Sequence, residues 1–196
     1  MARKVFFSFH YENDVWRANV VRNSWVPKPD IESAGFIDKT EFEKIKRQGE
    51  QAIKRWIDNQ LEGTSVTVVL IGTETYLRDW VRYEIVKSFD RGNGLLGIYI
   101  HQIKDKNGYT SSKGKNPFEY LMLSIDNNGK AKYYEWDGHQ WRLFNKYPNY
   151  SLSFKKEYWG KNYQFSQMYK IYDWVVNNGY NNLGNWIEEA AKQVGR

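Results

Sequence analysis

The stretch RDWVRYEIVKSF, residues 78–89, sets Trp80, Glu84 and Ser88 at positions i, i+4 and i+8. On an α-helix these three share one stripe, beside a core-facing stripe of Val81, Ile85 and Phe89. A carboxyl next to an indole at the rim of an apolar face can be kept partly dry. So placed, Glu84 is a candidate catalytic group. The plainer alternative is a glutamate in water, paired with Lys87 or Ser88. Charged helix positions are ordinarily solvated, and spacing by itself favours that alternative.

Few other residues offer comparable chemistry. The chain has no cysteine, which excludes disulfides, zinc–thiolate sites, iron–sulfur clusters and a cysteine nucleophile. Its three histidines, His10, His101 and His139, are far apart and lack metal-ligand spacing, so no metal site is expected. There is no G-x-G-x-x-G or P-loop pattern, and SSKGKNPF matches no phosphate loop. Tyr133, Tyr134, Trp136 and Trp141 could stack on bases, although cross-strand aromatic pairing accounts for them more simply.

Elements must bring these residues together. KVFFSF (4–9) has the composition of a buried strand, followed by a helix over VWRANVVRNSW with Asn13 or Asp14 as its N-cap. Pro27, Pro29 and Gly35 mark a loop, with a weak edge strand within 28–39. Thr40 and Glu43 form a capping-box pattern opening a helix whose apolar face is Phe42, Ile45, Ala52, Ile53, Trp56 and Ile57. SVTVVLIG (65–72) is almost wholly apolar and β-branched, as in a parallel strand covered on both faces. The Glu84 helix follows, with Asp79 as its cap, and then the strand LLGIYI (95–100). This order predicts an α/β domain around a mainly parallel sheet. Ligands of such sheets bind beyond the carboxyl ends of the strands, where Ser8, Phe9, His10, Asn13 and Glu84 could face one cleft.

After residue 103 the pattern changes. KDKNGYTSSKGKNPF is a loop, and KAKYYEWDGHQWRLF (130–144) has a central Asp-Gly between aromatic arms, a strong hairpin signal. FSQMYKIYDWVVNNG is expected to be a helix with Met168, Ile171, Tyr172, Val175 and Val176 on one face, and NWIEEAAKQV a final helix. One domain is expected over 1–196, with an α/β core at 1–103 and a basic, aromatic elaboration at 104–196.

The 196 residues carry a formal charge of +6, with the excess in the C-terminal half but in no dense run, so a nucleic-acid partner is not expected. Aromatics reach 17%, enough to supply interfaces and ligand walls as well as a core. The N-terminal apolar run is too short for a signal peptide, and no run is long enough to span a membrane. A soluble cytoplasmic protein without a membrane partner is expected.

FFSFHYEND followed by VTVVLIG and DWVRYEIVKS resembles the TIR (Toll/interleukin-1 receptor) family, whose fold is flavodoxin-like. Its NAD-cleaving members carry a W-x-x-x-E pattern at this helix, here Trp80 to Glu84. RKVFFSFHYENDVWRANVVRNSW, SVTVVLIGTETYLRDWVRYEIVKS and YDWVVNNGYNN together resemble the TIR-like proteins of the bacterial Thoeris antiphage system over nearly the whole chain. The resemblance implies an enzyme that breaks the nicotinamide–ribose bond of NAD on infection and makes a cyclic ADP-ribose-type messenger. NAD is then substrate, with no separate cofactor. The messenger activates a partner effector. A phage-derived trigger and a homo-oligomer are further partners it implies. By the same resemblance Glu84 is the catalytic carboxylate, with Ser8, Phe9, His10, Asn13 and Trp80 around the substrate. His10-Tyr11 and the long aromatic tail depart from receptor-type TIR sequences. The competing implication is a non-enzymatic TIR scaffold that signals by homotypic assembly, for which Glu84 would be dispensable.

Overall fold

The computed structural model describes residues 3–24, 31–34, 39–146 and 152–196. Its centre is a five-stranded parallel sheet in the order β2-β1-β3-β4-β9. The strands are β1 (Arg3–Phe9), β2 (Ile31–Ala34), β3 (Val66–Ile71), β4 (Gly94–Tyr99) and β9 (Ile171–Asp173). All six residues of β3 are buried, as expected for a strand with layers on both faces. Val69 and Ile71 enter one core cluster, and Val66, Val68 and Leu70 the other. The alternation of side chains along a strand thus feeds two cores at once.

One core is closed by α1 (Tyr11–Asn23) and α6 (Gly179–Gln193), which contribute Ala18, Val21, Leu183, Trp186 and Ile187. The contact of α6 with β4 is so close that a Cβ at Gly94 would overlap the Ala190 carbonyl. The other core holds α3 (Glu50–Leu61) and α4 (Asp79–Asp90), with α2 (Lys39–Arg47) before them. A single helix was expected across α2 and α3. The chain instead breaks at Gln48-Gly49, where Gly49 adopts φ 88°, a left-handed value that glycine alone takes cheaply. The expected edge strand is β2. The proline loop falls outside the described residues apart from Ile31–Ala34, as does the side chain of Thr40, the expected cap.

Residues 121–164 build a third layer, whereas β9 and α6 return to the parallel sheet. β5 (Leu121–Ile125), β6 (Ala131–Trp136), β7 (Trp141–Leu143) and β8 (Asn162–Gln164) form an antiparallel sheet ordered β7-β6-β5-β8. The Asp-Gly hairpin is its β6–β7 arm, and Asp137 accepts from the His139 and Gln140 N–H groups at 2.8 and 2.9 Å. This sheet lies against α4. Leu121, Leu123, Ile125 and Tyr133 share a core with Val81, Ile85 and Val86. Arg82 and Glu135 pair at 2.7 Å, and the Tyr133 hydroxyl reaches Asp90 at 2.5 Å. α4 is therefore enclosed between two sheets, with seven of its residues buried.

The helix expected over 165–179 is corrected. Only Phe165–Met168 is helical (α5), Ile171–Asp173 is β9, and a turn follows. Val175 and Val176 are 50% and 69% exposed instead of facing a core. Ile171 and Tyr172 find partners on β4, with Gly97 opposite Ile171 and Ile98 opposite Tyr172, and this tertiary pairing overrides a helical period.

Candidate active site

A cleft of about 350 Å³ opens at the carboxyl edge of the sheet, where β1 and β3 hand over to α1 and α4. Phe7, Ile53, Ile57 and Val81 give it apolar lining, and Phe9, Trp56 and Trp80 add aromatic walls. Its polar lining is His10, Glu12, Lys46, Arg78, Asp79 and Glu84. One face of Trp80 carries the Lys146 ammonium, 5.0 Å from the ring centre, and its edge meets Tyr83.

Glu84 is 8% exposed and buried on the second stripe of α4, where Ser88 is 0% exposed and bonded to Thr67 at 2.7 Å. The expected alternative partners are engaged elsewhere, Lys87 with Asp58 at 3.1 Å. Glu84 is met by Ser8 on β1, whose hydroxyl donates to Oε2 at 2.5 Å. Burial pushes the glutamate pKa up to about 8, and the Ser8 bond partly opposes this. In the unliganded protein at neutral pH this carboxyl is mostly protonated, a reservoir of charge that ionises readily beside a cation.

The other expected site residues divide. Phe9, His10 and Trp80 line the cleft with Glu84. Ser8 stands behind Glu84 as its hydrogen-bond partner. Asn13 is not among the lining residues; it is exposed, and its amide donates to Glu74 at 3.0 Å. It is also not the cap of α1, which starts at Tyr11 with His10 as N-cap. Asp14, the other expected cap, is 2% exposed beside the turn after β3 and takes the Thr75 hydroxyl at 3.5 Å. Burial raises its pKa to about 6. Asp79 is the first residue of α4, and Arg78 holds the N-cap position. Arg78, Lys46 and Trp56 are functional candidates that sequence reasoning missed: Trp56 was read as part of an apolar helix face, and the two cations were not singled out. The visible signal was Arg78 at the mouth of the Glu84 helix, one residue ahead of the expected cap.

A buried, proton-poised carboxyl one turn beyond a tryptophan, at the strand-end cleft of a parallel sheet, is the arrangement the W-x-x-x-E resemblance implied. Comparison with known families agrees: residues 6–105 match the TIR-like domain of the Thoeris protein ThsB. The chain is also 44% identical over 191 residues to ThsB1 of Bacillus cereus (strain MSX-D12), covering 95% of this chain and 100% of that one. This chain belongs to the ThsB TIR-like family. The ThsB1 relative is named as a candidate cyclic ADP-D-ribose synthase. The matched segment 6–105 spans Ser8, Phe9, His10, Arg78, Trp80 and Glu84, so the whole cleft belongs to the ThsB-type unit. Among the described residues no helix is long and apolar enough to cross a membrane.

Proposed function

We propose that this ThsB-type protein is an antiphage enzyme of the cytoplasm that cleaves the nicotinamide–ribose bond of NAD and closes the remainder into a cyclic ADP-ribose-type messenger. The messenger activates a partner effector after infection provides the trigger. The observation that carries this is Glu84, a buried carboxyl held by Ser8 in the wall of the cleft beside Trp80.

The chemistry follows from that placement. The C1′–N bond breaks with both electrons passing to the nicotinamide ring nitrogen, so a cationic ring leaves as a neutral molecule and needs no strong acid. The ribose becomes oxocarbenium-like, as in glycoside hydrolysis. The cationic nicotinamide ring beside Glu84 favours the ionised carboxylate, whose proton passes to solvent as the substrate binds. The carboxylate then stabilises the ribosyl cation in a low-dielectric site, where such an interaction is strong. Attack by a hydroxyl of the ligand itself forms the ring and releases its proton to the carboxylate; attack by water gives ADP-ribose. Phe9, Trp56 and Trp80 exclude water and favour the first course.

The test compares extracts of infected cells carrying wild-type or Glu84→Gln protein by liquid chromatography and mass spectrometry. A cyclic ADP-ribose-type nucleotide is expected in the first and absent in the second, with the variant protein folded and present. The same nucleotide in Glu84→Gln cells refutes the proposed role, and full protection without any nucleotide would leave the scaffold alternative.

A further inference from the structure

Both helices that open onto the cleft begin on residues that do not close their own first turn. His10 is the N-cap of α1 and Arg78 that of α4, and neither side chain caps its helix. Serine, threonine, aspartate and asparagine usually hold this position because their oxygens accept the first-turn N–H groups. A guanidinium has no acceptor to offer. The partially positive starts of two full-length helices thus meet at one cleft, whose lining takes His10, Tyr11 and Glu12 from one and Arg78 to Val81 from the other.

A second observation is independent of the helices. His10 is 6% exposed, lines the cleft, and its Nδ1 is buried without a hydrogen-bond partner. Arg78 Nε, on the same lining, is also buried without one. Buried polar atoms are rarely left so. The remaining nitrogens and the nearby acids face one another: Arg78 Nη2 donates to Glu74 at 2.8 Å, and His10 Nε2 lies 3.9 Å from Glu12. Glu12 also takes Lys46 at 2.9 Å, and Asp79 lies 3.6 Å from Lys146. With these carboxylates engaged by cations, the lining offers two helix starts and, on His10 and Arg78, two buried nitrogens without a partner. That combination fits an anion with several acceptor oxygens.

We propose that this end of the cleft is the subsite for the substrate's diphosphate, which lies at His10 and Arg78 while the nicotinamide ribose lies at Glu84. The inference rests on the NAD reading above and adds a direction to it. Glu84 follows Arg78 by six residues, a rise of about 9 Å along α4. Its side chain leans back toward the helix start, which leaves a span suited to a ribose and its 5′-phosphate. Arg78 and His10 are then positioning residues that hold C1′ against the carboxylate.

The experiment titrates ADP, inorganic pyrophosphate and adenosine into the full-length Glu84→Gln protein by calorimetry. ADP and pyrophosphate should bind, ADP at least tenfold more tightly than adenosine, and more weakly as salt rises. Arg78→Lys keeps the charge but loses the Nε–H, and should weaken ADP tenfold or more; His10→Phe should do the same. Arg78 has a side chain 38% exposed, so its variant remains informative if His10→Phe does not fold. Unchanged ADP affinity in folded Arg78→Lys protein, or no pyrophosphate binding at millimolar concentration, overturns the subsite. If infected-cell extracts still show Glu84-dependent messenger, only the subsite falls. If ADP binds through Arg78 while Glu84→Gln cells make the messenger, the catalytic role of Glu84 falls and the subsite stands.

Discussion

Replacing Glu84 by glutamine removes an ionisable group from a place where charge is costly, and stability should register this as a function of pH. The folded carboxyl titrates near 8, against an ordinary value of 4.5. Below the ordinary value both folded and unfolded chains carry the proton, and its burial costs nothing in ionisation. Between the two values the folded chain binds more protons than the unfolded one, so stability falls as pH rises; above the folded value the loss is complete. At about 1.36 kcal/mol per pH unit, the wild type should lose roughly 3 kcal/mol from this group between pH 5 and pH 8. Glutamine retains the shape and cannot ionise. The variant should therefore gain on the wild type by about that amount over the same interval. Urea unfolding of both proteins at a series of pH values measures the difference, in which Asp14 and the remaining titrating groups cancel. A stability difference that does not change between pH 5 and pH 8 would falsify the dry-carboxyl account of the site. It would place Glu84 in water, where a carboxylate ionises near 4 at no cost to the fold.

Two further outcomes follow from neighbouring contacts. Ser8→Ala removes the bond that favours ionised Glu84, worth about 1.5–3 kcal/mol for a charged acceptor, so its pKa should rise by one to two units. The acid limb of kcat/KM, measured under activating conditions, should move to higher pH by the same interval, and an unmoved limb would show that Ser8 does not poise the carboxyl. Arg82→Ala severs the 2.7 Å pair with Glu135 and two donations to the Tyr76 carbonyl, at 3.0 and 3.2 Å. It should cost about 3 kcal/mol in urea unfolding, and a loss below 1 kcal/mol would mean that this pair does little to join the antiparallel layer to α4.

Much of the architecture was legible in local pattern. The three central strands were visible because β1, β3 and β4 are short apolar runs between turn signals, and a strand buried on both faces must be apolar throughout. The hairpin was visible in Asp137-Gly138 between aromatic arms. The C-terminal helix over 165–179 was misjudged because Ile171 and Tyr172 satisfy a helical period as well as a strand. β4 decided between them by offering an open edge. Cap residues were misplaced by one to four positions at His10 and Arg78, since neither has the side-chain oxygen that marks a helix start in sequence.

The environment of Glu84 divides along the same line. Its type, its spacing from Trp80 and its place on the helix after a buried strand are local properties, and the sequence by itself determined them. Whether its carboxyl is wet or dry depends on Ser8, 76 residues away on β1, and on the parallel sheet against which its stripe packs, where Ser88 meets Thr67 of β3. Helical period alone allows one buried stripe on a surface helix. α4 has two, because it is packed between layers: the Glu84–Ser88 stripe lies on the parallel sheet, and the antiparallel sheet covers the side of Arg82 and Phe89, which only the tertiary fold could arrange. Desolvation is a property of everything within a few ångströms, wherever it lies in the chain, and that is why the fold rather than the W-x-x-x-E spacing sets the proton on Glu84.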